Sequence, residues 1–329
     1  MAILVTGGAG YIGSVMVETL LGSGFAVVVA DDLSRGHAEA VPAGVPLLRG
    51  NVGDARFLDD LFTAHRIEAI FHFAASSLVG ESMRNPGLYF GNNVGGVLAL
   101  AAAMVRHGVS RFVLSSTAAT YGDPRVVPIP EDAPTVPTNP YGESKLLCER
   151  ILRWYEEIHG IRWTALRYFN AAGAGRRCGE DHAEETHLIP LAMQAAAGLG
   201  PALRVFGLDY PTPDGSCVRD YIHVEDLADA HLLALRRMET GPGGIYNLGN
   251  GQGFSVLEVI RSVERVTGRT VPWEPAPRRA GDPPHLVASS ARARSELGWA
   301  PARADLDGIV ASAWRWMEAH PHGYAAEGR

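Results

Sequence analysis

The chain has 329 residues, long enough for one large α/β domain and a smaller one beside it. Its net charge of −7 argues against general nucleic-acid binding, and no apolar run is expected to approach the ~20 residues of a membrane span. Cys148, Cys178 and Cys217 form no CxxC pair, so they read as reduced thiols of a cytoplasmic protein.

Ala2-Ile3-Leu4-Val5-Thr6 is a short apolar run suited to a buried parallel strand, and a strand beginning at residue 2 leaves no room for a signal peptide. It runs into Gly7-Gly8-Ala9-Gly10-Tyr11-Ile12-Gly13, with a helical pattern after it. In that setting Gly7 allows the tight turn, Gly10 lets backbone approach a pyrophosphate, and Gly13 lets helix pack on strand. The helix N-terminus offers free N–H groups and a positive dipole end to the phosphates. A second strand at 26–30 ends at Asp31-Asp32, eighteen residues beyond Gly13, where an acid grips the adenosine ribose of a dinucleotide. A carboxylate there repels the extra phosphate of NADP, so NAD is the expected cofactor.

Further strands are predicted at 69–74, 111–115 and 161–168, with helical patterns between them. This rhythm predicts an α/β fold with a doubly wound parallel (Rossmann) sheet. Residues 94–105 are apolar nearly all round, so a helix there should be covered by the sheet on one side and by a second subunit on another. The strand at 111–115 runs on into Ser116-Thr117, where the Thr117 hydroxyl can pass a proton from a substrate alcohol and hold its oxygen. In Asn139-Pro140-Tyr141-Gly142-Glu143-Ser144-Lys145, Tyr141 and Lys145 share one helix face. A free phenol titrates near ~10, and bringing it to about 7 takes about 4 kcal/mol. The Lys145 ammonium and a bound cationic nicotinamide are expected to supply that together. The helix at 141–158 is expected to join 94–105 in a homodimer interface. Beyond residue 172 the rhythm loosens and Pro and Gly recur. A nucleotide-binding domain is therefore placed at 1–171 and a smaller mixed α/β substrate domain at 172–329, with chain crossing between them allowed. The twelve histidines show no metal-ligand spacing; Asp181, His182 and His187 read as a polar loop, and no metal site is expected.

Gly7-x-x-Gly10-x-x-Gly13, the Ser/Thr strand end and Tyr141-x-x-x-Lys145 resemble the extended short-chain dehydrogenase/reductase superfamily. More narrowly, the chain is similar, almost end to end, to the UDP-glucose (UDP-galactose) 4-epimerase family. The similarity includes His72-Phe73-Ala74-Ala75, Val79-Gly80-Glu81-Ser82, Asn92-Asn93-Val94 and Arg167-Tyr168-Phe169-Asn170. It continues through Gly179-Glu180-Asp181-His182, Val218-Arg219-Asp220-Tyr221-Ile222-His223 and Arg278-Arg279-Ala280-Gly281-Asp282.

The resemblance implies that Tyr141 takes the proton of the sugar 4-hydroxyl, that Lys145 holds the nicotinamide ribose, and that Thr117 stands where the family usually has serine. Hydride would leave C4 for a tightly bound NAD, the 4-keto sugar would turn over, and hydride would return to its other face. Further cofactor contacts are implied for Tyr11, Ile12, Asn51, Val52, Phe73, Ala74, Ala75, Asn93, Ser115 and Tyr168. For a UDP-sugar, the resemblance implies Arg219 and Arg279 at the diphosphate, Phe206 at the uracil and Asp282 at the uridine ribose, with Asn170, His187 and Leu188 beside them. Asn51 replaces the usual aspartate facing the adenine amino group. Leu286 takes the family's gate position, where large aromatic residues go with exclusion of N-acetylated sugars; leucine is intermediate, so partial acceptance is expected. A 4,6-dehydratase would need an acidic pair after Thr117, where Ala118-Ala119 stands. Epimerases of UDP-uronates or UDP-pentoses stay open. A nucleotide-sensing binding protein is opposed by the presence of both Tyr141 and Lys145.

Overall fold

The computed structural model describes residues 1–279 and 282–324. Seven strands form one sheet: β1 (Ala2–Thr6), β2 (Ala26–Asp31), β3 (Leu47–Arg49), β4 (Ile67–His72), β5 (Arg111–Thr117), β6 (Arg162–Tyr168) and the later strand Ile245–Leu248. Every pairing is parallel. In space the order is Ile245–Leu248, β6, β5, β4, β1, β2, β3. The chain winds outward from β1 to β3 and then returns to β4 on the other side of β1. That reversal opens a crevice at the carboxyl ends of β1 and β4, the place where such sheets bind dinucleotides.

Side chains alternate across this sheet. Ile3 and Val5 join Val15, Met16 and Leu20 of the helix Tyr11–Gly22 and Leu227 and Leu235 of the helix Val224–Thr240. Leu4 joins Leu58, Leu100, Met104 and Leu152 from three helices on the other face: Ala55–Ala64, Gly95–His107 and Pro140–His159. A smaller unit packs the helices Leu188–Ala197, Val256–Thr267 and Leu306–Ala319 around Val259, Ile260 and Ile309, with short strands at its margin. The stretch from Val224 to Leu248 therefore lies in the sheet layer, although it follows residue 172.

Three differences from the sequence reading have physical causes. The strand expected at 69–74 ends at His72, because the N–H groups of Phe73 and Ala74 both turn to the Thr6 carbonyl (2.8 and 3.1 Å) across the end of β1. The strand Ile245–Leu248 was not expected: it contains Asn247 amid Gly and Pro, and that asparagine is satisfied internally, its amide donating to the Ile129 carbonyl at 2.9 Å. The expectation of no long apolar run fails for the continuous helix Pro86–His107, whose 22 residues have the length and composition of a span. Its Val97, Leu100, Ala103 and Met104 are packed on the sheet, and it turns through a π-helical segment, Phe90–Val94, that carries the buried Asn93.

Candidate active site

The glycine loop follows β1 directly. Gly7 has φ +72°, and a Cβ there would lie 2.5 Å from the Ala74 nitrogen. A Cβ on Gly13 would lie 2.1 Å from the Gly7 carbonyl oxygen, so the helix Tyr11–Gly22 can seat on the loop only with glycine there. Gly10 is different: its nearest neighbour to a Cβ is that same oxygen at 3.4 Å, an ordinary contact. Nothing in the protein demands glycine at that position, which leaves open backbone at a helix N-terminus, a cradle that fits a pyrophosphate. Asp31 closes the loop, accepting from Ala9 N–H (3.0 Å) and Leu33 N–H (2.9 Å). Burial raises its pKa while these bonds oppose the rise, and its oxygens keep further lone pairs for ribose hydroxyls. Arg35 is committed to Glu81 at 3.0 and 2.9 Å. The Asn51 oxygen accepts from Gly53 N–H at 2.7 Å beside the buried Val52.

At the end of β5, Thr117 accepts from Ala119 N–H (3.1 Å) and begins a tight turn at 118–120. The helix Pro140–His159 starts beside that turn, with Pro140 in its first turn and the Asn139 side chain accepting from Gly142 N–H at 2.9 Å. A Cβ on Gly142 would sit 2.4 Å from the Ala119 carbonyl oxygen. The glycine next to the tyrosine thus lets the helix close on the strand end and brings Tyr141 against Thr117. Burial raises the Tyr141 phenol and the Thr117 hydroxyl opposes the rise. The Lys145 ammonium, expected to lower that phenol together with a bound nicotinamide, donates to the Ser115 carbonyl at 2.7 Å. Burial brings Lys145 itself down to about 8. Tyr168, expected at the cofactor, pairs through its hydroxyl with His231, and burial holds its phenol well above the usual range.

Two supporting features escaped the sequence reading. Asn93, expected as a cofactor contact, also braces the scaffold: it accepts from Ser76 N–H (2.8 Å) and donates to the Ser76 carbonyl (3.0 Å) and Ser144 Oγ (2.9 Å). It fixes the loop after Ala75 to the helix that carries Tyr141. Beneath the site, Glu149 and Arg167 form a fully buried pair at 2.6 and 3.0 Å. Ser116 donates to Glu149 (2.6 Å), Arg167 donates to the Tyr121 hydroxyl (2.8 Å), and Tyr121 donates to Asn247 (2.7 Å). The only signal for Glu149 in the sequence is its position four residues past Lys145 on the same face.

On the smaller unit, Arg219 and Asp282 are joined in an ion pair, with Arg219 also donating to Pro283 O at 3.0 Å. The Arg279 guanidinium lies 4.0 Å above the Phe206 ring centroid. Leu286 is in register with Arg219 in a short parallel pairing. Asn170 donates to the Asp220 carbonyl at 2.9 Å. The Asp220 carboxylate gathers the N–H groups of Asn250 (2.7 Å), Gly251 (3.0 Å) and Ala288 (3.0 Å). His187 precedes Leu188 at the helix start, and its Nδ1 faces Glu180 and Glu185. The Tyr11 hydroxyl donates to the Gly173 carbonyl at 2.6 Å, tying the glycine loop to this segment. Ala280 and Gly281 lie outside the described residues.

Residues 3–249 match the profile of the NAD dependent epimerase/dehydratase family. The chain belongs to that family. Within the epimerase/dehydratase family it is 52% identical to the UDP-glucose 4-epimerase of Halalkalibacterium halodurans, covering 100% of this chain and 99% of that protein. A crystal structure of a UDP-glucose 4-epimerase is similar with a TM-score of 0.97 and 50% identity, covering 99% of this chain and 100% of that one. The Brucella ovis UDP-glucose 4-epimerase, crystallised in complex with NAD, gives a TM-score of 0.93 at 46% identity over 95% of this chain and 97% of that one. The open cradle at Gly10, Asp31 at the end of β2 and the crevice at the switch point all fit the dinucleotide for which the epimerase/dehydratase family is named.

Proposed function

We propose that the chain is an NAD-dependent epimerase acting at C4 of a UDP-hexose, interconverting UDP-glucose and UDP-galactose. The observation that carries this reading is the closure of Tyr141 on Thr117 at the end of β5, with Ala118 and Ala119 where elimination chemistry would need acids. NAD, when bound along Gly7, Gly10, Gly13 and Asp31, supplies a hydride acceptor that later gives the hydride back. Tyr141 takes the proton of the 4-hydroxyl and Thr117 steadies that oxygen. After the sugar presents its other face, Tyr141 returns the proton. Because burial keeps the phenol protonated in the free chain, the base forms only when positive charge arrives beside it. Lys145, buried on the same helix and anchored on the Ser115 carbonyl, is the residue assigned to the nicotinamide ribose and, with the bound cofactor, to that positive charge.

In this reading Arg219 and Arg279 take the diphosphate, Phe206 the uracil and Asp282 the uridine ribose, with Asn170, His187, Leu188 and Leu286 beside the sugar. Leucine at the gate supports partial acceptance of N-acetylhexosamines, and UDP-uronates and UDP-pentoses belong in the same panel. Proton NMR with UDP-sugars, without added NAD, should show inversion at C4. Tyr141→Phe should lose about 10²–10⁴-fold in kcat while keeping its NAD; turnover equal to wild type would show that Tyr141 is not the base, and no turnover by wild type with any UDP-sugar would favour a nucleotide-sensing role. The buried thiols Cys148, Cys178 and Cys217 support a cytoplasmic setting.

A homodimer is the assembly that the surface supports. Leu98 (43% exposed), Val105 (40%), Trp154 (61%) and Ile158 (65%) stand on the adjacent helices Gly95–His107 and Pro140–His159. This apolar face suits the same pair of helices from a second copy. Light scattering at micromolar concentration should give twice the chain mass, and a monomer mass would oppose the assembly.

A further inference from the structure

The loop between the short strand Asn170–Ala172 and the helix Leu188–Ala197 carries Glu180, His182, Glu185 and His187. Each offers one ligand atom, and these atoms all lie within 4.8 Å of one another. Glu180 Oε1 is 2.7 Å from His187 Nδ1 and 3.2 Å from His182 Nε2, and His187 Nδ1 is 3.0 Å from Glu185 Oε1. Both carboxylates are withdrawn from water, each with a side chain only 8% exposed. Among the described residues no lysine or arginine pairs with either; their ion-pair partners are the two histidines. His187 Nδ1 faces both carboxylates, so a single imidazole serves two oxygens withdrawn from water. A divalent cation cancels both carboxylate charges.

We propose that Glu180, His182, Glu185 and His187 form a structural zinc site that pins the 173–187 loop beside the glycine loop. Two imidazole nitrogens and two carboxylate oxygens make a four-ligand set suited to tetrahedral zinc, with no position left open for catalysis. Bonds of about 2.0–2.1 Å place tetrahedral ligands roughly 3.3 Å apart, so the closest pair, at 2.7 Å, must spread and any pair near the 4.8 Å limit must draw in as the ion enters. The ligands are already oriented. Glu185 Oε1 accepts from Thr186 N–H and His187 N–H, both at 2.7 Å. Asp181, in the midst of the cluster's sequence, accepts from Tyr324 N–H at 2.9 Å instead, holding the loop to the C-terminal segment. The Tyr11 hydroxyl fixes the loop's start at Gly173. With Nδ1 on the metal, His187 would have only Nε2 to offer the substrate.

The test uses the full-length, untagged protein. Metal analysis after purification should find about one zinc per chain, and a chelator-stripped sample should take up about one zinc in competition with a chromophoric chelator. Cobalt(II) added instead should give the intense visible bands of a tetrahedral site. Zinc at a hundredfold its dissociation constant should raise the Tm of the stripped protein by about 5 °C or more. Glu180→Gln and His182→Asn should each weaken zinc binding at least 100-fold. Stripped wild type that takes up no zinc, or weak octahedral cobalt bands, overturns the proposal without reference to any variant. So does zinc binding of wild-type strength in a folded His182→Asn protein.

Discussion

Gly10 and Gly13 stand three residues apart and answer to different demands. Gly13→Ala drives a Cβ into the Gly7 carbonyl at 2.1 Å, so the loop must move. Urea denaturation should show a loss of about 2 kcal/mol or more. Gly10→Ala has room in the free chain, with its nearest contact at 3.4 Å. Its ligand-free Tm should stay within about 2 °C of wild type, while the NAD that co-purifies with it should fall sharply. Equal NAD content in wild type and Gly10→Ala would sink the phosphate-cradle role. Thr117 invites a similar separation. Thr117→Val keeps the branched shape and removes the hydroxyl that faces Tyr141, so kcat should fall at least tenfold, whereas Thr117→Ser should retain activity. A valine variant as fast as wild type would show that the hydroxyl is not used.

Among elements, the helix Pro140–His159 carries the site. Its inner face presents Tyr141, Lys145 and Glu149, one per turn: base, cation and buried anchor. Glu149→Gln leaves the Arg167 charge buried without its counter-ion and should cost about 3–5 kcal/mol. Replacing both partners with Leu and Met should recover most of that, and a double-mutant cycle by urea titration reads the difference. Gly142→Ala should separate the helix from Ala119, lowering kcat more than NAD content. The sequence revealed the first tier of this arrangement, since glycine spacing and an i,i+4 pair have short-range signatures. The second tier lay beyond it. That Arg167 meets Glu149, or that Asn93 spends its amide on Ser76 and Ser144, depends on strands and loops brought together from distant parts of the chain. The strand Ile245–Leu248 was hidden for the same reason, because its polar Asn247 is paid for by Tyr121 and Ile129. Helical spacing placed Lys145 on the face of Tyr141 but could not show that its ammonium rests on the Ser115 carbonyl.

At the scale of the molecule, three histidines set its response to acid. Burial lowers His72 to about 3, His223 to about 4 and His231 to about 4. In the unfolded chain each titrates near ~6.5. Between those values the unfolded state binds more protons, so the stability these groups contribute is present above pH ~6.5 and lost as the pH falls toward about 4. The slope is about 1.4 kcal/mol per pH unit for each. Calorimetry should find a Tm at pH 5 at least about 10 °C below that at pH 7; an unchanged Tm would contradict it.

The return of the strand Ile245–Leu248 to the sheet has one more consequence. It lies against β6, pairing Ile245 with Ala165 and Leu248 with Tyr168, while the helix Val224–Thr240 roofs that corner. A fragment ending at residue 171 would bare β6 as a raw margin of unpaired amides, flanked by apolar surface stripped of its roof. Such a margin recruits strands from neighbouring molecules. The N-terminal fragment should therefore collect as insoluble aggregate rather than as a free nucleotide-binding domain, and the two halves of this chain should unfold as one.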